Sequence, residues 1–215
     1  MNIGFWDLEE YGRVRLSKNY YMRDFLYSEL SNTFGVPNVP DFPDVAVEMG
    51  RRLCQEILEP LVSVFGRVHI RSGYRSARLN GFGASKRLKC APNPKNFAYH
   101  IWDHPDASGN HGAAACIVIP WFQDRAQRPE DWQQLAWFIH DHLPYHRMTF
   151  FAKQTAFNIG WHQAPLREIY STVTKQWLTR DAMPNAAGDH RSEYAELADW
   201  LRQDGRPDAI SKSVG

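Results

Sequence analysis

Between residues 44 and 65 apolar side chains return at helical spacing. Val45, Met49, Leu53, Ile57 and Leu61 form one stripe, with Cys54, Leu58 and Val62 beside it. The pattern predicts the main core helix, with Pro60 near its end and Gly66 as its stop. The period then changes. In "RVHIRSGYR", Val68 and Ile70 alternate with Arg67, His69 and Arg71, as in a half-buried strand. Residues 76–99 hold Gly81, Gly83, Pro92 and Pro94 among lysines and asparagines without periodicity, which predicts a long loop. "AAACIVIPW" is apolar at successive positions and predicts a central strand covered on both faces and ended by Pro120. Trp132, Leu135, Ala136, Ile139 and Leu143 mark a second amphipathic helix, followed by short strands around "RMTFF" and "FNIGWH". A last helix is expected over residues 192–201.

Helices and strands are mixed here without the alternation of a doubly wound sheet, and no internal repeat is found. The expected fold class is α+β: a single domain with a small, mostly antiparallel central sheet packed against helices. Residues 1–180, with their N-terminal helical elements, are expected to form the main body. Residues 181–215 add the C-terminal helix and a loose polar tail. With 215 residues, 43% of them hydrophobic, the chain can bury a full core.

Charge narrows the partners. Twenty-five Lys and Arg nearly balance 24 Asp and Glu, and a net charge of +1 supplies no global field for nucleic acid or an anionic membrane. A small peptide-like or carboxylate-bearing substrate is expected instead. The opening residues lack the pattern of a signal peptide, and no later run reaches membrane-spanning length, so the expected location is cytoplasmic. Composition leaves the oligomeric state open. Cys54, Cys90 and Cys116 are an odd number, so at least one stays a free thiol.

The candidate chemistry gathers in "NFAYHIWDHPDASGNHGAAACIVIPW", where His100, Asp103, His104, Asp106 and His111 precede the predicted central strand. His162 ends a strand far along the chain, and sequence-distant groups that meet at strand ends are a common way to build metal and catalytic sites. His69, His140, His142, His146 and His190 read as surface or capping residues. A Cys116–His nucleophile pair is disfavoured, because "AAACIVIP" predicts burial and a nucleophilic thiol needs exposure.

The order "FPDVAVEMGRRLCQEILEPLVSVFGRVHIRSGYRSARLN", a His-bearing loop running into "GAAACIVIP", a helix and then "GWH" resembles the M15 peptidases and their relatives of the Hedgehog/D,D-peptidase zinc-binding fold. It covers roughly residues 16–170. The resemblance implies that Arg75, in Ser72-Gly73-Tyr74-Arg75, binds a substrate carboxylate; the alternative is a structural arginine that ties down the loop. It implies His162 and His100 as metal ligands, with Cys116 standing where the family has aspartate, or Asp103 supplying the carboxylate from an inserted loop. One divalent metal ion is implied, zinc first, with iron or copper open to a site that has a Cys ligand. The family's Glu-x-Trp-His glutamate is here Ile159, so Glu168 becomes the candidate replacement base, and a carboxylate restored at 159 is expected to project toward the metal-bound water. The implied function is a metal-dependent hydrolase acting on an amide bond of a small peptide or cell-wall-derived substrate. The alternatives are a non-peptidase binding module or a non-hydrolytic metal enzyme on the same fold.

Overall fold

The computed structural model describes residues 5–88, 90–152 and 155–210. Three short helices, α1 (Phe5–Gly12), α2 (Arg23–Leu26) and α3 (Glu29–Phe34), precede the long predicted helix. That helix is α4 (Pro43–Leu53) and α5 (Glu59–Phe65), joined by a π-helical turn, Cys54–Leu58. The wider turn lies just ahead of Pro60, whose ring would crowd the carbonyl of Glu56 in a regular α-helix. Gly66 closes the rod at φ 75° and donates its N–H to the Val62 carbonyl at 2.9 Å. Next come β1 (His69–Ser72), α6 (Ala77–Ser85), β2 (Gly112–Val118), α7 (Pro120–Gln123) and α8 (Trp132–His142). The chain continues through β3 (Arg147–Phe150), β4 (Phe157–His162), β5 (Glu168–Ser171), β6 (Gln176–Thr179) and α9 (Ala195–Gln203).

The six strands form one sheet in the order β1-β2-β4-β3-β5-β6, antiparallel except for the β3–β5 pair. The fold is thus mixed α+β, and among the described residues no helix is long and apolar enough to cross a membrane. Register separates the two faces of the sheet. Ala113, Ala115 and Ile117 of β2 oppose Trp161, Ile159 and Phe157 of β4, and these six join the core formed with α4, α5 and α8. Gly112, Ala114 and Cys116 oppose His162, Gly160 and Asn158 on the other face.

Several expectations need correction. Residues 76–99 are not all loop. Ser76 caps α6 by accepting the Leu79 N–H at 3.2 Å, and Gly81 and Gly83, which suggested a turn, lie within this helix. A Cβ at Gly83 would stand 2.5 Å from the Cys90 sulfur. Pro120 does more than end a strand, since it opens α7. β5 and β6 were not anticipated, because four-residue strands rich in polar side chains carry too little alternation to stand out. His140, His146 and His190 are buried rather than surface residues. His140 Nδ1 bonds the Tyr145 hydroxyl at 2.7 Å, His146 stacks on His162 with centroids 4.2 Å apart, and His190 stacks on Trp137 at 4.2 Å.

Candidate functional site

The face of the sheet turned away from the core is polar. Asn158 of β4 lies opposite Thr149 of β3, and Thr149 lies beside Tyr170 of β5, all three half-buried. Arg147 and Glu168 continue the row as an ion pair across β3 and β5. Tyr99 lies over this face. Its carbonyl accepts the Ala114 N–H at 2.8 Å, and its ring passes over Gly160, where a Cβ would stand 3.2 Å from Tyr99 Cε2. Alternation within "FNIGWH" holds the signal for this face, since positions 158, 160 and 162 must point one way and 157, 159 and 161 the other.

The candidate metal ligands are distributed as follows. Among the described residues, one group of three Asp, Glu, His or Cys donor atoms lies mutually within 4.8 Å, and it consists of Asp41, Asp103 and His104. Asp103 is almost fully buried, and its carboxylate is already filled. Oδ2 accepts the backbone N–H groups of Asp41 at 2.7 Å and Phe42 at 3.1 Å, and Oδ1 accepts the Tyr74 hydroxyl at 3.0 Å. Burial, and then the neighbouring Asp103 charge, push the Tyr74 phenol far up, so it stays a donor. His104 Nε2 bonds Asp41 Oδ2 at 2.9 Å, and its ring stacks on Phe97. These contacts tie the loop before β2 to the start of α4, where a carboxylate also suits the helix dipole.

Cys116 and His162 share a face but not a place. His162 opposes Gly112, and Cys116 opposes Asn158, four residues further along β2. At about 3.3 Å per residue that is roughly 13 Å of strand, beyond what one ion can bridge. The position facing His162 admits no side chain: a Cβ on Gly112 would stand 2.4 Å from the Ala98 carbonyl and 2.7 Å from His162 Cδ2. Cys116 packs with Val118, Ala156 and Phe151, and burial raises its thiol to about 11. His162 Nε2 faces Asp106 Oδ2 at 3.3 Å, and its Nδ1 lies 3.0 Å from the Ala164 N–H. His100 Nδ1 bonds the Gly73 carbonyl at 3.2 Å. The four residues taken from the resemblance, His100, Asp103, Cys116 and His162, therefore do not fit a family-type zinc site in this arrangement. Glu168 is held by Arg147. Ile159 lies on the core face, fully buried and opposite Ala115 and Met148.

Arg75 stands differently. Its guanidinium is half-buried and has no acidic partner among the described residues. Nη1 bonds Asn80 Oδ1 at 3.3 Å and the Cys90 sulfur at 3.1 Å, which uses both of its hydrogens and leaves the Nε–Nη2 edge as an open fork. Asn80 in turn donates to the Ala91 carbonyl and to Asn93 Oδ1, and accepts from Asn96 Nδ2, so the guanidinium is braced by a closed amide network. The Arg75 N–H bonds the His100 carbonyl at 2.8 Å. His100 is held neutral down to about 4, chiefly by burial and then by the charge of Arg75. A surface depression of about 850 Å³ lies elsewhere, between α8 and the C-terminal segment, and two of its arginines, Arg191 and Arg202, are paired with Asp189 and Asp208. The chain matches no protein-family model, no curated protein and no solved structure.

Proposed function

We propose that the protein is a binding module that takes a small peptide-like ligand by its carboxylate, with Arg75 as the anchor and without amide-bond hydrolysis. The observation that carries this reading is the Nε–Nη2 fork, unpaired among the described residues, of a half-buried guanidinium whose other nitrogen is fixed by Asn80 and Cys90. A carboxylate matches that fork bidentately, and a neutral His100, whose Nδ1–H donates to the Gly73 carbonyl, keeps Nε2 as an acceptor for a ligand N–H and adds no competing charge. Thr149 and Asn158, half-buried on the face of the sheet away from the core, offer polar groups to the rest of such a ligand. The hydrolase reading needs three metal ligands around an open position and a base, and the residues proposed for those roles are engaged with other protein groups or lie too far apart along neighbouring strands to share one ion.

Incubation with a D-alanyl dipeptide, followed by mass spectrometry and thermal denaturation, separates the two. The dipeptide is expected to raise the melting temperature and to remain intact, whether or not a chelator is present. Arg75→Lys, which keeps the charge but loses the fork, should weaken binding about 10- to 100-fold, as expected for a charged hydrogen bond of about 1.5–3 kcal/mol. Cleavage that a chelator abolishes, zinc restores and His162→Ala removes would replace this reading with the hydrolase.

A further inference from the structure

Charge is segregated along this chain in a way that the net value conceals. Residues 60–102 contain eight of the 25 Lys and Arg and none of the 24 Asp and Glu, which leaves 17 basic against 24 acidic residues elsewhere. Six of the eight, Arg67, Arg71, Arg78, Lys86, Arg87 and Lys95, are exposed. Among the described residues none of the six is in an ion pair, whereas elsewhere Arg13 pairs with Glu9, Arg52 with Glu48 and Glu56, and Arg202 with Asp199 and Asp208. An unpaired basic surface on a chain of near-zero net charge is a local field that a polyanion can use.

Its shape and its aromatic content say which polyanion. Arg71 lies in β1 at the edge of the sheet, and Arg67 two residues before that strand. Arg78 and Lys86 mark about 12 Å of α6 and its cap. The cations are thus strung out rather than gathered around one point, which suits a polymer backbone better than a single small anion. Arg78, Phe82 and Lys86 fall at i, i+4 and i+8, so an aromatic ring stands between two cations on one face of the helix. Phe34, 48% exposed, packs against Phe82 with centroids 5.3 Å apart and extends that platform. We infer that the surface around α6 binds single-stranded nucleic acid, with the cations on phosphates and the Phe34–Phe82 pair stacking on bases. The inference does not depend on the ligand proposed for Arg75.

Fluorescence anisotropy of a labelled oligothymidylate of about 15 nucleotides, titrated with the full chain over a series of salt concentrations, is the test. The combined variant Arg78→Gln, Lys86→Gln, Arg87→Gln should bind at least tenfold more weakly. It should also flatten the log–log salt dependence by about 2, at roughly 0.7 for each phosphate that is no longer neutralised. Phe34→Ala should weaken binding about fivefold or more and leave the salt slope unchanged. All four side chains are exposed or half-buried and outside the core, so unchanged melting temperatures are expected. The control variant Arg13→Gln, Arg52→Gln, Arg202→Gln removes the same charge elsewhere and should bind like the wild type. Absence of binding at low salt, or equal weakening by the control, overturns the inference. So does capture of phosphatidylglycerol vesicles with no effect of Phe34→Ala on oligonucleotide binding, which would assign the surface to a membrane.

Discussion

At the scale of single residues, burial decides which charges the protein tolerates. His146 is 7% exposed, accepts the Leu166 N–H at Nδ1, and is held neutral down to about 3 by burial first and then by His162 and Arg147. An unfolded histidine takes its proton near 6.5, so the unfolded state binds more protons between that pH and about 3. The sign follows: this contribution to stability is complete above about 6.5 and is lost as pH falls below it. Between pH 7 and pH 5 the loss should be on the order of 2 kcal/mol. Urea unfolding at the two pH values should show it, and His146→Asn, which keeps an acceptor for the Leu166 N–H, should shrink the difference by about that amount. An equal loss in the variant would mean that His146 titrates normally. Asp103 is explained by hydrogen bonding instead. A ligand-like carboxylate in the sequence is, in the fold, the acceptor that holds two backbone N–H groups and a tyrosine at the foot of α4.

At the scale of elements, the two-residue period of a strand separates what a motif places side by side. The glutamate of Glu-x-Trp-His would lie three residues before the histidine, and on β4 that spacing puts Ile159 and His162 on opposite faces. Ile159→Glu would therefore bury a carboxylate among core side chains. It should cost several kcal/mol in urea denaturation and add no hydrolysis. A stable variant that gained peptidase activity would show that the face assignment is wrong. Much of the fold was legible because its periods are long and clean: the helix over 44–65, the apolar run of β2, the amphipathic α8. α6 was hidden because Gly81 and Gly83 read as turn residues, whereas both lie in the helix and Gly83 packs closely against Cys90. β5 and β6 were hidden by brevity. Of the site, Arg75 could be read from Ser-Gly-Tyr-Arg. The open fork, the Asn80 brace and the distance from His162 to Cys116 depend on strand register and on loop packing that no local pattern encodes.

At the scale of the whole molecule, one sheet divides the labour. Its core face packs on α4, α5 and α8, its other face carries Tyr99, Thr149, Asn158 and Tyr170, and the segment beyond β1 holds Arg75 at the border. The central claim is that Arg75 binds a carboxylate without the help of a metal. Calorimetric titration of chelator-treated protein with an acetylated D-alanyl dipeptide and with its C-terminal amide tests that claim most directly. The expected result is saturable binding of the acid and at least tenfold weaker binding of the amide, the difference vanishing in Arg75→Gln, which removes both charge and fork. Equal affinity for acid and amide, or binding of the acid that appears only when zinc is returned, would contradict it.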